Sequence, residues 1–302
     1  MKEKDLIHYK DLLLKNISNK RVSYVDVPDH FNFGDYLIYL GSRELIINSD
    51  CLSCEFYTSS QISSNFNLIS KDNTDVIICH GGGNFGDLYE RHNNIRLELV
   101  KKFLDIPIIL FPQTIFYQDT ANMLEDLSVL ETHSNLSIFV RDFESKSTIE
   151  NHSSLKADIC CDTAQFLFNT VTFTKARNNK NLRFKKLLFK RIDKERVSND
   201  TTADSKDWDY FFSPFDVFFK RTFNFLSIKL SFSKRLSNMM VMLWNFYMDI
   251  KLKVILDFFT SYEEIETDRL HGYILAYLLD MKRTALDNSY GKIARYINIF
   301  RV

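Results

Sequence analysis

Three short stretches of this chain set polar or charged residues beside glycine. In the first, the apolar run Val76-Ile77-Ile78-Cys79 leads through His80 into Gly81-Gly82-Gly83-Asn84-Phe85-Gly86-Asp87. Glycines just beyond the carboxyl end of a strand let backbone N–H groups approach an anion with no Cβ in the way. The spacing matches neither G-x-G-x-x-G nor a P-loop, and no P-loop Lys-Ser/Thr follows, which argues against nucleotide hydrolysis. A tight structural turn is the competing reading of the same glycines. In the second, Thr267-Asp268-Arg269-Leu270-His271-Gly272 precedes the apolar helix Tyr273 to Leu279. A helix start offers unsatisfied N–H groups and partial positive charge, and Arg269 adds a fork of donors suited to phosphate or carboxylate. His271 can donate to phosphate or act as acid or base near neutral pH. In the third, Asn32-Phe33-Gly34-Asp35 follows a strand and opens a helix, where Asn32 and Asp35 either cap that helix or face a cleft.

The elements that must position these groups alternate between short β-branched runs and helical patterns over residues 22 to 168, the pattern of a parallel sheet with crossover helices. Strands are predicted at Val22 to Val27, Cys54 to Tyr57, Val76 to Cys79, Ile106 to Phe111, Ile138 to Arg141 and Ile159 to Cys161. Helices are predicted at Asp35 to Ile47, Ile95 to Phe103 and Phe143 to Ile149. Gln113-Thr114, Arg141-Asp142 with Ser145, and Asp162 then fall at strand ends, on one rim of one sheet. Thr174 to Asn181 reads as a linker, giving domains at 1–172 and 173–302. The second begins with Leu182 to Phe189. It continues through an exposed loop at 197–207, a short strand at Tyr210 to Ser213 and a Phe-rich helical stretch from Phe215 to Tyr262. A helix at Leu270 to Leu279, a strand at Arg283 to Leu286 and a helix at Ile293 to Phe300 complete it.

Composition narrows the partners. Lys plus Arg equals Asp plus Glu, 39 each in 302 residues, so no overall field draws the chain to nucleic acid. The charged start and the lack of a long apolar run lead to an expected cytoplasmic location. Residues 218–253 mix lysines and arginines with many aromatics. They are either a helix packed on the protein or one that leans on the inner face of the cytoplasmic membrane. Cys51 and Cys54 form a lone C-x-x-C with no second pair, so core cysteines are expected and no metal site.

Seven of these pieces, in order, resemble the polysaccharide pyruvyltransferase family. They are Asn32 to Ile38, His80 to Asp87, Pro112-Gln113-Thr114, Arg141-Asp142 with Ser145, Asp162-Thr163-Ala164, Asp268 to Gly272 and Asp287 to Lys292. The resemblance implies two Rossmann-like α/β domains facing a cleft, as in GT-B glycosyltransferases. It also implies transfer from phosphoenolpyruvate, a co-substrate rather than a cofactor, to a sugar hydroxyl pair, giving a pyruvate ketal in a surface or capsular polysaccharide. Arg269 and His271 match the family's donor-binding or catalytic pair, and Arg141 a basic residue that holds the donor. On that reading Gly81, Gly82, Gly83, Asn84 and Lys292 complete the donor site, and Asp35, Asp87 and Asp268 are candidate bases. Asn32, Gln113, Asn288, Ser289 and Tyr290 fall to the acceptor, which is free or lipid-linked. The chain departs from the family pattern after residue 292, lacking a tryptophan-containing tail. Two other functions fit the same features: a glycosyltransferase using a sugar nucleotide, and a non-catalytic scaffold in polysaccharide assembly.

Overall fold

The computed structural model describes residues 3–192, 205–286 and 292–300. Seven strands form the larger sheet: β1 (Arg21–Val27), β2 (Ser53–Thr58), β3 (Val76–Cys79), β4 (Gly82–Phe85), β5 (Ile108–Ile115), β6 (Leu136–Val140) and β7 (Ala157–Ile159). Their order is β2-β1-β3-β5-β6-β7, all parallel, and β4 continues the path of β3 along the far end of β5. Helices α1 (Glu3–Leu14), α2 (Phe33–Ile47), α3 (Ser59–Ser64), α4 (Glu90–Lys102), α5 (Thr120–Glu131) and α6 (Phe143–His152) connect and cover it.

Strand residues alternate between two apolar layers, as a period of two requires. Val25, Ile77, Leu110 and Val140 point to one face, beneath α3 to α6. Tyr24, Ile78, Phe111 and Phe139 point to the other. Both faces being covered, the central strands read as unbroken apolar runs, which is why β3 was legible as Val-Ile-Ile-Cys.

Beyond Asn169 come α7 (Val171–Asn178), β8 (Phe184–Phe189), α8 (Pro214–Lys229), α9 (Lys234–Phe259), β9 (Tyr262–Thr267), α10 (Leu270–Leu278), β10 (Lys282–Ala285) and α11 (Lys292–Phe300). Strands β10-β9-β8 make a second parallel sheet. The expected pair of Rossmann-like domains is, among the described residues, an unequal pair of sheets. The apolar layer holding Tyr24 and Phe111 runs without a break into Phe189, Trp208, Trp244, Phe259, Ile265 and Leu275.

Several predicted elements change. The expected linker Thr174 to Asn181 is mostly α7, because Phe173 buries and anchors a turn of otherwise polar chain. Tyr210 to Ser213 is no strand: Trp208 to Phe211 form a 3-10 turn capped by Asp207. Strand β9, Tyr-Glu-Glu-Ile-Glu-Thr, was hidden by its glutamates, of which Glu266 pairs with Lys186 on β8. Cys51 and Cys54 are free thiols, only partly buried against the core rather than within it, and burial pushes the Cys54 thiol up. No helix among the described residues is long and apolar enough to cross a membrane.

Candidate active site

In a doubly wound sheet the crevice lies beyond the carboxyl ends of the strands where the winding direction changes, between β1 and β3. The segments leaving those ends are Pro28 to Asn32 and His80 to Gly83. Opposite them stand the ends of β8 and β9, which deliver Arg191 and Arg269. Between the two lies a cavity of about 500 Å³, within the range of small-ligand sites, lined among others by Asn32, Asp35, Gly83, Asn84, Arg141, Arg191, Arg269 and His271.

On the larger sheet's rim Arg141 follows β6 and is 2% exposed. Its Nε and Nη2 donate to Thr114 Oγ1, and Nη1 donates to Asp162 Oδ2. The same Asp162 oxygen meets His271 Nε2 at 3.0 Å. Burial alone would raise the Asp162 carboxyl, but His271 and Arg141 outweigh it and hold the acid well below the usual carboxylate range. The carboxylate is fixed in turn from behind: Oδ1 accepts the Ala164 N–H, and the Asp162 N–H donates to Tyr296 of α11. Asp162 thus holds the Arg141 guanidinium and the His271 ring on one carboxylate oxygen.

Across the cavity, Arg269 caps α10 and donates from Nε and Nη2 to both oxygens of Asp207, 2.6 Å at Nη2. The guanidinium fork is held rigid in the way bidentate pairs allow. Asp207 lies at the end of the stretch expected to be an exposed loop, but it is 4% exposed. Residues 197–204 of that stretch lie outside the described part. The His271 ring packs on Gly34 at the start of α2, where a Cβ would stand 2.7 Å from Nδ1. The two glycine-linked helix starts therefore need each other.

The triple glycine differs from its expected form. Gly82 to Phe85 are a strand with Gly82 at φ +119°, and Gly83 lies where a Cβ would be 3.5 Å from Arg141 Nη2. Gly83 and Asn84 reach the cavity, and Asn84 is anchored by the buried Arg96 at 2.9 Å. Gly81 is a close-packing glycine: a Cβ there would meet the Pro112 carbonyl at 2.8 Å.

Other expected site residues separate into groups. Asp35 lines the cavity and accepts from Asn32 at 2.8 Å. Asp87 does not line it: its carboxylate accepts the Gln118 and Asp119 N–H groups and holds a turn, so a base role has no geometric support. Gln113 is wholly buried and donates to the His80 carbonyl, which fits structure rather than acceptor binding. Asp268 accepts the Arg191 N–H at 2.8 Å, just behind the rim. Asn288, Ser289 and Tyr290 lie outside the described residues, as does the Lys292 side chain.

The sequence reading missed a second wall. His30 and His92 line the cavity with ring centroids 5.7 Å apart, His30 Nε2 lies 3.6 Å from Asp35, and His92 Nδ1 meets Asp26 at 2.8 Å. Asp26 breaks the pairing register of β1 and has φ +67°, so a bulge turns its carboxylate out of the strand. One signal was available, a carboxylate inside the apolar run Val25-Asp26-Val27; His30 and His92 carry none by themselves. Among the described residues no group of three or more His, Cys, Asp or Glu side chains is arranged to hold a metal.

Burial would raise the Asp26 carboxyl, but His92 and, less, His80 and Ser59 lower it to about 2. A depressed acid stabilises the fold above its unfolded value near 4 and loses that contribution as pH falls towards 2. The loss should be about 2 kcal/mol. Asp26→Asn should shrink the fall in stability between those pH values in denaturant titrations; an unchanged acid limb would contradict the pairing.

Known proteins resemble the chain over most of its length. The family model for polysaccharide pyruvyl transferase matches residues 32–290. "Putative pyruvyl transferase EpsO" of Bacillus subtilis (strain 168) is 31% identical over 288 residues, covering 92% of this chain and 84% of that protein. "Pyruvyl transferase 1" of Schizosaccharomyces pombe is 26% identical over 302 residues, covering 92% of this chain and 69% of that protein. A crystal structure of a functionally uncharacterized protein from Klebsiella pneumoniae shares the fold, with a TM-score of 0.63 at 20% identity, covering 100% of this chain and 95% of that one. The chain belongs to the polysaccharide pyruvyl transferase family.

Proposed function

We propose that the cavity binds phosphoenolpyruvate and transfers its pyruvyl group to two hydroxyls of one sugar as a ketal. The observation that carries this reading is the convergence of Arg141 with Arg269 and His271, from two distant parts of the chain, on one cavity beside the Gly83-Asn84 strand. A donor bearing both phosphate and carboxylate needs several fixed cationic or N–H groups, and here two arginines are locked by buried aspartates before any ligand arrives. The two-domain, GT-B-like arrangement belongs to the same proposal, with the donor between the two rims.

His271, held by Asp162, delivers a proton to the methylene carbon, and C2 becomes electrophilic. One sugar hydroxyl adds to C2 and gives its proton to a base. The C2–O bond to phosphate then breaks, Arg141 and Arg269 stabilise the departing anion, and the second hydroxyl closes the ketal as its proton leaves with phosphate. Asp35, and His92 oriented by Asp26, are the bases that face the cavity. Asp268 is set behind the rim. The acceptor is a polysaccharide precursor, bound on the His30 and His92 side.

Phosphoenolpyruvate at about 100 times its dissociation constant should stabilise the protein by about 2.7 kcal/mol, visible as a rise in melting temperature. With a diol-bearing glycoside, one phosphate should be released per ketal formed, read by mass spectrometry. Stabilisation by a UDP-sugar and none by phosphoenolpyruvate would instead favour a glycosyltransferase.

A further inference from the structure

The helical hairpin of α8 and α9 carries an apolar face that the fold leaves uncovered. On α8, Phe215, Phe218 and Phe225 recur at helical spacing and are 74%, 67% and 59% exposed. Phe232 in the connecting turn is 75% exposed, and on α9 Met242 and Phe246 are 71% and 65% exposed, with Ile250 one turn on. The opposite sides of both helices are the buried ones: Phe223 and Trp244 stack at 4.7 Å. So many large exposed side chains on one supersecondary unit mark an interaction surface rather than ordinary surface scatter.

The charge around this face identifies its partner. The whole chain is neutral, yet between Pro214 and Val254 the acidic residues are only Asp216 and Asp249. Asp216 is buried and paired with Lys251, and Asp249 is turned towards Tyr36. Arg221, Lys229, Arg235 and Lys253 remain on the outward side, exposed and without an ion pair among the described residues. A second copy of the chain would bring like charges together across a two-fold axis. Phenylalanines bordered by unopposed cations suit a bilayer with anionic headgroups, and neither helix can span one.

We propose that this hairpin seats the protein on an anionic membrane surface. The hairpin reaches the cavity by its inward side: Phe31, which lines the cavity, stacks on Phe212 at 4.1 Å, and Lys220, on the side of α8 that holds Asp216 and Phe223, sits 4.8 Å above the Phe31 ring. Membrane binding itself does not rest on the pyruvyl-transfer reading.

The test is sedimentation of the full chain with vesicles of phosphatidylcholine alone or mixed with phosphatidylglycerol. The protein should pellet with the mixed vesicles only, and raised salt should release it. Phe218→Ser with Phe246→Ser, and separately Arg221→Glu with Arg235→Glu, should each weaken binding more than tenfold while leaving the melting temperature unchanged. Three results would overturn the proposal: no binding to the mixed vesicles, equal binding by wild type and both variants, or a dimer in solution that the same substitutions split while vesicles are ignored.

Discussion

Arg269→Ala is expected to lower kcat/KM for pyruvyl transfer by about a thousandfold or more, the scale of losing a preorganised donor that stabilises developing negative charge. The structure adds a complication with its own signature. Asp207 accepts from Arg269, Trp208 and Ile192 and is almost fully buried, so removing the arginine strands a carboxylate and should cost about 3 to 5 kcal/mol of stability. Arg269→Met combined with Asp207→Asn removes the stranded charge and should recover much of that stability with none of the activity. Arg269→Lys keeps the charge without the fork and should also fail. Steady-state kinetics beside denaturant melts separate the two effects; near-normal turnover in Arg269→Ala would end the donor-binding assignment.

Gly41→Ala is the second large effect, and its sign runs against helix propensity. Gly41 lies inside α2, where alanine ordinarily stabilises by about 1 kcal/mol. Here a Cβ would stand 1.8 Å from the Thr163 carbonyl oxygen, a backbone atom that cannot swing aside. Helix and turn are also knitted together by the Ser42 and Thr163 hydroxyls, 3.0 Å apart, and by the Thr163 hydroxyl donating to the Ile38 carbonyl. Parting them should cost about 3 kcal/mol. Because Thr163 follows Asp162, the same displacement moves the carboxylate that Arg141 and His271 share, so activity should fall more than stability alone explains. A Gly41→Ala protein as stable as wild type in urea would refute the packing described here.

The parts of this architecture that were legible in the sequence are those with a local cause. The strands β1, β3 and β5 and the helix α2 show themselves by apolar runs and turn residues, and Arg141, Arg269 and His271 by standing next to strand or helix ends. What escaped depends on contacts between distant segments. Asp207 looked like one more polar loop residue, and only the fold brings it to Arg269. His92 gains meaning only because a bulge aims Asp26 at it, and β9 is a strand because β8 and β10 flank it. Asp87 and Gln113 erred in the other direction: each sits in a motif rich in site residues, but one holds a turn and the other a carbonyl behind the cavity.

The apolar interior shared by the two sheets has an engineering consequence. Halves severed near α7 would each bare a large oily surface, so chimaeras that splice the front of one relative to the back of another should precipitate rather than acquire a new taste in sugars. On the proposed reading, variation in the acceptor would arise at the rim, around His30, Tyr89 and Asp209, whose side chains line the cavity rather than the shared apolar interior.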